Sequence, residues 1–274
     1  MKNLAVRTLT GAVYVSVVIG AIFAGPYVFA SLFLIILLFS LNEFFSLIRK
    51  GTIRPLPVSG FAIAASIYSL LFLISHHLIG NQYLKLLLPL IILIPIVEIF
   101  RNIENPIQNI AFTVWGVIYL AFPFAIFNQI LIPHANQPEL YEPELLIGMM
   151  IIIWSGDTGA YLVGRFLGKH KLIERISPNK TWEGAIGGVV MAILIAMLFF
   201  SFFNYLNALQ VILIASLTVI AGTLGDLVES MIKRNFNVKD SGKILPGHGG
   251  LLDRFDSLLF AAPVYYVLIS LFLN

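Results

Sequence analysis

The chain has 274 residues, of which 59% are hydrophobic and 11% charged, with a mean hydropathy of +0.93. A soluble domain is nearer half apolar and a quarter charged, so that class is excluded, and continuous apolar runs in place of short alternating strands exclude a β-barrel. The absence of cysteine removes disulfides, thiol catalysis and Cys-ligated metal, and a formal net charge of only +3 makes the distribution of charge matter more than its sum.

Several apolar runs reach the roughly 20 residues that a helix needs to cross a bilayer. The fold class expected is all-α: a polytopic integral membrane protein with about nine transmembrane helices and a cytoplasmic N-terminus. The spans are placed at about 6–24, 27–48, 58–79, 83–100, 108–132, 144–167, 184–203, 208–232 and 255–273. The opening "MKNLAVRTLTGAVYVSVVIGAIFAGP" has the charge-then-apolar look of a signal peptide. A second apolar run follows almost at once, so it is read as an uncleaved first span. The third and fourth spans are separated only by the weak break "SHHLIGNQ".

Orientation follows from lysine and arginine. With the N-terminus in the cytoplasm, 16 of the 17 basic residues fall inside and only Lys85 falls outside. Residues 1–143 then form an N-terminal membrane region of about five spans. Residues 144–274 form a C-terminal membrane region of about four spans with two long cytoplasmic loops, near 168–183 and 233–254, and it is here that any catalytic chemistry is expected. Long polar loops on one side of a membrane protein are where a water-soluble reactant can be met.

Glu43, Glu98, Asp157, Asp226 and Glu229 lie within or at the ends of apolar runs. An ionised carboxylate in hydrocarbon costs roughly 3 kcal/mol on insertion scales, so such groups need a partner, water or a metal. Asp226 and Glu229 are three apart and share a helix face, with Asp226 about 10 Å beneath the cytoplasmic end of its span. Asp253 and Asp256 repeat the spacing at the start of the last span, and the intervening loop makes the two helix ends neighbours. Carboxylate-dominated sites favour Mg²⁺ or Mn²⁺ over zinc, and Mg²⁺ often shares its shell with substrate phosphates. Lys233, Arg234, Lys239, Lys243 and Arg254 surround these acids in sequence, a pattern that suits a metal-bound polyphosphate. The plainer alternative is mutual ion pairing, for example Asp253 with Arg254 or Asp240 with Lys243.

In "PGHGG", at 246–250, Gly249 and Gly250 let the backbone approach a ligand, and successive amides can form an anion-binding nest. His248 can serve a phosphate or act as a structural donor. In the other loop, Asp157 and Tyr161 share a helix face, while Gly156, Gly159, Ala160 and Gly164 suit close helix packing. "SPNKTWEG" reads as a turn and a helix start, with Ser177 and Thr181 as caps and Lys180 and Thr181 offering a cation and a hydroxyl. Anionic-lipid attraction alone would equally account for the basic run there.

Residues 230–256, "SMIKRNFNVKDSGKILPGHGGLLDRFD", resemble the signature of the phosphatidate cytidylyltransferases, or CDP-diacylglycerol synthases. The pattern is Ser, a spacer, Lys-Arg, four residues, Lys-Asp, a Pro-x-His-Gly-Gly core and Asp-Arg-x-Asp. "GDTGAYLVGRFLGKHKL" and "SPNKTWEG" resemble upstream segments of the same family, with Asn179 where lysine is commoner. The resemblance covers about 120 residues from 154 onward. It implies transfer of cytidylyl from CTP to phosphatidic acid, giving CDP-diacylglycerol and pyrophosphate for phospholipid synthesis. It places the protein in the bacterial cytoplasmic (inner) membrane with the site facing the cytoplasm. It also implies a divalent metal, Mg²⁺ or Mn²⁺ with room for a second cation, and Asp226 and Asp253 as leading ligands with Glu229 and Asp256 beside them. Asp226, Asp253, Lys233, Arg254 and His248 are the catalytic candidates. Substrate binding is expected from Asp157, Ser177, Asn179, Lys180, Thr181, Lys239, Asp240, Lys243, Gly249 and Gly250. The partners are CTP, phosphatidic acid and the bilayer, with no nucleic acid; small-residue packing leaves room for a homodimer without demanding one.

Two rivals are weaker. A CDP-alcohol phosphotransferase would carry an Asp-Gly-x-x-Ala-Arg start, which the chain lacks. A transporter using Asp157, Asp226 and Glu229 for ions would show inverted repeats, and none is visible.

Overall fold

The computed structural model describes residues 2–133, 140–203, 206–245, 247 and 249–273, with residues 2–7 by backbone alone. The helices among them are α1 (Lys2–Phe23), α2 (Pro26–Ile48), α3 (Pro57–Ser75), α4 (Leu87–Arg101), α5 (Pro106–Ile130), α6 (Pro143–Leu167), α7 (Trp182–Phe200), α8 (Ala208–Asn235) and α9 (Leu252–Leu273). All but α1 are long and apolar enough to cross a membrane, α4 when the turn Asn81–Leu86 before it is included. The described apolar part of α1, Thr8–Phe23, is shorter. The all-α, multi-pass expectation therefore holds.

Proline sets several starts. It occupies the first turn of α2, α3 and α6, where its fixed φ suits the helix and its missing N–H has no intrahelical partner to lose. Gly25, at φ +104°, turns the chain between α1 and α2. The weak break after α3 proves real. Leu78 N–H closes back on Leu73 O, His77 takes a positive φ of 54°, and a 3₁₀ turn, Asn81–Leu86, precedes α4. Pro89 thereby falls in the first turn of α4, where it costs no hydrogen bond.

The loop near 168–183 departs from the expected turn. It folds into an antiparallel hairpin of β1 (Lys171–Ile173) and β2 (Ser177–Thr181), with Lys171 opposite Thr181 and Ile173 opposite Ser177. These are the strands present among the described residues. Ser177 is thus a strand residue and not a cap. Thr181 does cap α7, accepting Gly184 N–H at 3.1 Å.

The chain divides into two compact units that do not follow chain order. One comprises residues 1–129 and 235–254, the other residues 130–234 and 255–274. The core of the first is aromatic. Phe29, Phe33, Phe44 and Phe45 of α2 are fully or almost fully buried, as are Phe124 and Phe127 of α5. Phe33 meets Phe127 edge-on at 5.5 Å, and Phe44 meets Trp115 at 5.4 Å. Tyr68 of α3, also buried, donates to Ala30 O at 3.0 Å, so its hydroxyl is satisfied in an apolar setting.

In the second unit α6 and α7 pack backbone against backbone. A side chain at Gly188 would put its Cβ 2.7 Å from Gly156 O, and one at Gly184 would reach within 2.8 Å of Ala160 O. That is the close packing expected of the small residues in α6. The buried Tyr265 of α9 donates to Leu145 O at 2.7 Å and ties α9 to α6. Outward faces are apolar; in α7, Ile186, Val190, Leu194 and Leu198 are all exposed, as a lipid-facing stripe should be.

Candidate functional site

In the second unit, α6, β2 and α8 enclose a pocket of about 300 Å³ whose lining includes Asp157, Tyr161, Asn179, Lys180, Thr181 and Asp226. The hairpin delivers Lys180. Its base is clamped by Glu183, which accepts from His170 Nδ1 at 2.5 Å and from the N–H groups of Lys169 and His170. Trp182 N–H donates to His170 O. Ending β2 directly in the cap of α7 fixes where the lysine stem leaves the backbone.

Lys180 Nζ lies 2.6 Å from Asp226 Oδ2. The other oxygen of Asp226 accepts from Ser230 Oγ at 3.2 Å, one helical turn further along α8. Lys233 pairs with Glu229 along the same helix, and Glu229 is fully buried. Asp157 lies in the electrostatic field of Lys180 and Asp226, and Asp256 in that of Asp226, Lys233 and Asp157. The two lysines thus partner Asp226 and Glu229, and the carboxyl groups of Asp157 and Asp256 lie in the same field.

In the first unit, the described residues between 236 and 251 form a loop braced from inside. Asp253 accepts from Gly250 N–H at 2.7 Å and from Ser241 N–H at 3.0 Å. Leu245 N–H bonds Gly249 O at 3.0 Å, and Gly247 and Gly249 take φ of +75° and +84°, which only glycine adopts without strain. Lys239, Asp240, Lys243 and Arg254 are exposed, and Gly250 is buried. His248 lies outside the described residues.

Of the residues singled out from sequence, the pocket gathers Asp157, Asn179, Lys180, Thr181 and Asp226. Ser177 stands at the start of β2. Sequence reasoning did not select Ser230 as a support for Asp226, although it is the first residue of the signature. Nor did it select the role of Glu43, which accepts Leu252 N–H at 2.8 Å and Ser241 Oγ at 3.4 Å. Its only sequence signal was a carboxylate inside an apolar helix.

The profile of the Cytidylyltransferase family matches residues 5–272. The chain belongs to the cytidylyltransferase family. Relatives named phosphatidate cytidylyltransferase extend the match. The one from Staphylococcus haemolyticus (strain JCSC1435) is 35% identical over 267 residues, 96% of this chain and 98% of its own. That from Staphylococcus aureus (strain COL) is 35% identical over 271 residues, with the same coverage. That from Bacillus subtilis (strain 168) is 43% identical over 166 residues, 60% of each chain.

A cytidylyltransferase with this signature is expected to use a divalent cation. Among the described residues no group of three or more His, Asp or Glu side chains is assembled as a cation cage. Mg²⁺ does not require one; it is usually held by one or two carboxylates together with waters and substrate phosphates. The donor set in the second unit is all oxygen, holds more carboxylate than ammonium, and opens onto a pocket. Its chemistry fits a hard divalent cation.

Proposed function

We propose that this cytidylyltransferase transfers the cytidylyl group of CTP to phosphatidic acid, giving CDP-diacylglycerol and pyrophosphate. An oxygen of the lipid phosphate bonds to the α-phosphorus of CTP, and the bond from that phosphorus to the bridging oxygen of pyrophosphate breaks. The observation that carries the reading is Lys180 beside Asp226 in a pocket at the polar end of the membrane helices, within a chain matched along nearly its whole length by relatives bearing that activity's name.

The chemistry asks little of a base. The lipid phosphate is already an anion, so the barrier lies in bringing anions together and in carrying charge on the leaving pyrophosphate. Lys180 is proposed to neutralise a reacting phosphate, with Asn179 and the Thr181 hydroxyl beside it. Lys233, Arg254, Lys239 and Lys243 are proposed to hold further phosphate oxygens, with Gly249, Gly250, Ser177, Asp157 and Asp240 in the binding surface. Asp226, Asp253, Glu229 and Asp256 are the proposed ligands for Mg²⁺ or Mn²⁺, which when bound would polarise the phosphates and stabilise the leaving group. The reading puts this face toward the cytoplasm, where CTP is, and keeps the acyl chains in the bilayer.

The test is the purified full-length chain in detergent with CTP, phosphatidic acid and Mg²⁺. Formation of CDP-diacylglycerol that requires both substrates is expected. Absence of product, together with ion-driven flux in liposomes, would overturn the reading in favour of a transporter.

A further inference from the structure

We infer that Glu43 is a positioning residue for the proposed cytidylyl transfer: from near the C-terminal end of the membrane helix α2 it fastens the glycine-rich loop and so holds Asp253 in place. The inference rests on the cytidylyltransferase reading, which it deepens. Every contact it uses lies within the unit formed by residues 1–129 and 235–254.

Glu43 lies five residues before the end of α2, about 7 Å below it at 1.5 Å per residue, and is 4% exposed. A carboxylate there is expensive, and in a membrane protein such a residue marks function with its partner as the clue. Its partner is the signature loop. Oε2 accepts the N–H of Leu252, the first residue of α9, whose amide has no intrahelical acceptor. The same oxygen accepts Ser241 Oγ. Ser241 is therefore held twice, its hydroxyl by Glu43 and its amide by Asp253. Gly250 completes the brace by donating its N–H to Asp253.

The glycines of the loop fit this anchor. A Cβ at Gly242 would fall 2.0 Å from Glu43 Oε1, and one at Gly250 would fall 2.6 Å from Oε2 and 2.2 Å from Ser241 Oγ. These positions have no room because the carboxylate fills it. Glu43, Ser241, Gly242, Gly250 and Asp253 act as one assembly, in which the helix residue sets the height and direction of the loop. Glu43 does not touch the reacting atoms; it acts through Asp253.

The experiment compares wild type, Glu43→Ala and Glu43→Gln as purified full-length protein. It measures kcat and KM with CTP and phosphatidic acid, melting temperature, and hydrogen exchange of peptides covering 241–253. Removing the acceptor shared by the Leu252 N–H and the Ser241 hydroxyl should lower kcat by about tenfold or more in Glu43→Ala. Exchange in the 241–253 peptides should speed up while α3 and α5 stay protected. Glu43→Gln keeps an acceptor oxygen for Leu252 N–H and should retain most of the rate. A folded Glu43→Ala protein with wild-type kcat, unchanged loop exchange, or a glutamine variant as impaired as alanine would each overturn the inference. Should Glu43→Ala fail to fold, Gly242→Ala carries the test. Its Cβ collides with Oε1, so loop protection and rate should both drop, and no change in either overturns the inference. A wild-type chain without CTP-dependent product would sink the cytidylyltransferase reading instead, while the exchange data would still report on the anchor.

Discussion

Asp226→Asn separates a reactive carboxylate from a merely paired one. In the structure Asp226 touches Lys180 at 2.6 Å and accepts from Ser230, and the two ion-paired side chains are 28% and 31% exposed. A pair that open to solvent contributes about 0–1 kcal/mol to stability. Asparagine keeps the size and one acceptor oxygen, so Ser230 retains its bond. The expected melting-temperature change is therefore no more than about 4 °C. The expected effect on turnover is much larger. If Asp226 helps hold the metal through the transition state, losing its charge costs about 3 kcal/mol or more, roughly a hundredfold in rate. The assay is melting temperature and CTP-dependent lipid product on the same samples, across a Mg²⁺ titration. A stable Asp226→Asn protein with undiminished turnover would refute the reasoning and leave Asp226 as a partner of Lys180 only. A protein that melts far lower while its surviving fraction works normally would do the same.

Arg254→Lys keeps the charge of an exposed side chain but loses the planar two-pronged donor, so kcat/KM for CTP should fall without a stability change; wild-type kinetics would demote Arg254 to a surface charge. Gly188→Val should lower the melting temperature, at a cost of about 1–3 kcal/mol, because its Cβ meets Gly156 O at 2.7 Å; an unchanged melting curve would show that α6 and α7 can part without cost. Tags at 52 and 240 should be reachable from the cytoplasm and a C-terminal tag only from the other side. Tags at 240 and the C-terminus reporting the same side would contradict the orientation read from the basic residues.

The helices were legible because the bilayer imposes one rule on every span: bury each backbone polar group internally and present apolar side chains outward. The eighth run, expected at 208–232, is Ala208–Asn235, and the ninth, expected at 255–273, is Leu252–Leu273. The hairpin was not legible. "KLI" and "SPNKT" are too short for alternation to register, and the pairing is fixed by ends the sequence does not mark, among them the clamp of Glu183 on His170. Single residues of the site were legible as types more than as pairs. Asp226 stood out as a carboxylate in an apolar run, but its contact with Lys180 spans two elements and follows no helical spacing. Glu43 stood out for the same reason. Its partners, Ser241 in the loop and Leu252 at the start of α9, lie 198 and 209 residues away, and only the folded chain shows why Gly242 and Gly250 must be glycine.

The most direct measurement of the central claim follows the phosphorus. Purified full-length protein is given phosphatidic acid and Mg²⁺ with CTP labelled at the α-phosphate in one reaction and at the γ-phosphate in another. Cytidylyl transfer predicts α-label in the lipid fraction and γ-label in aqueous pyrophosphate. Label from the γ-phosphate in the lipid, or none in lipid from either position, would contradict it.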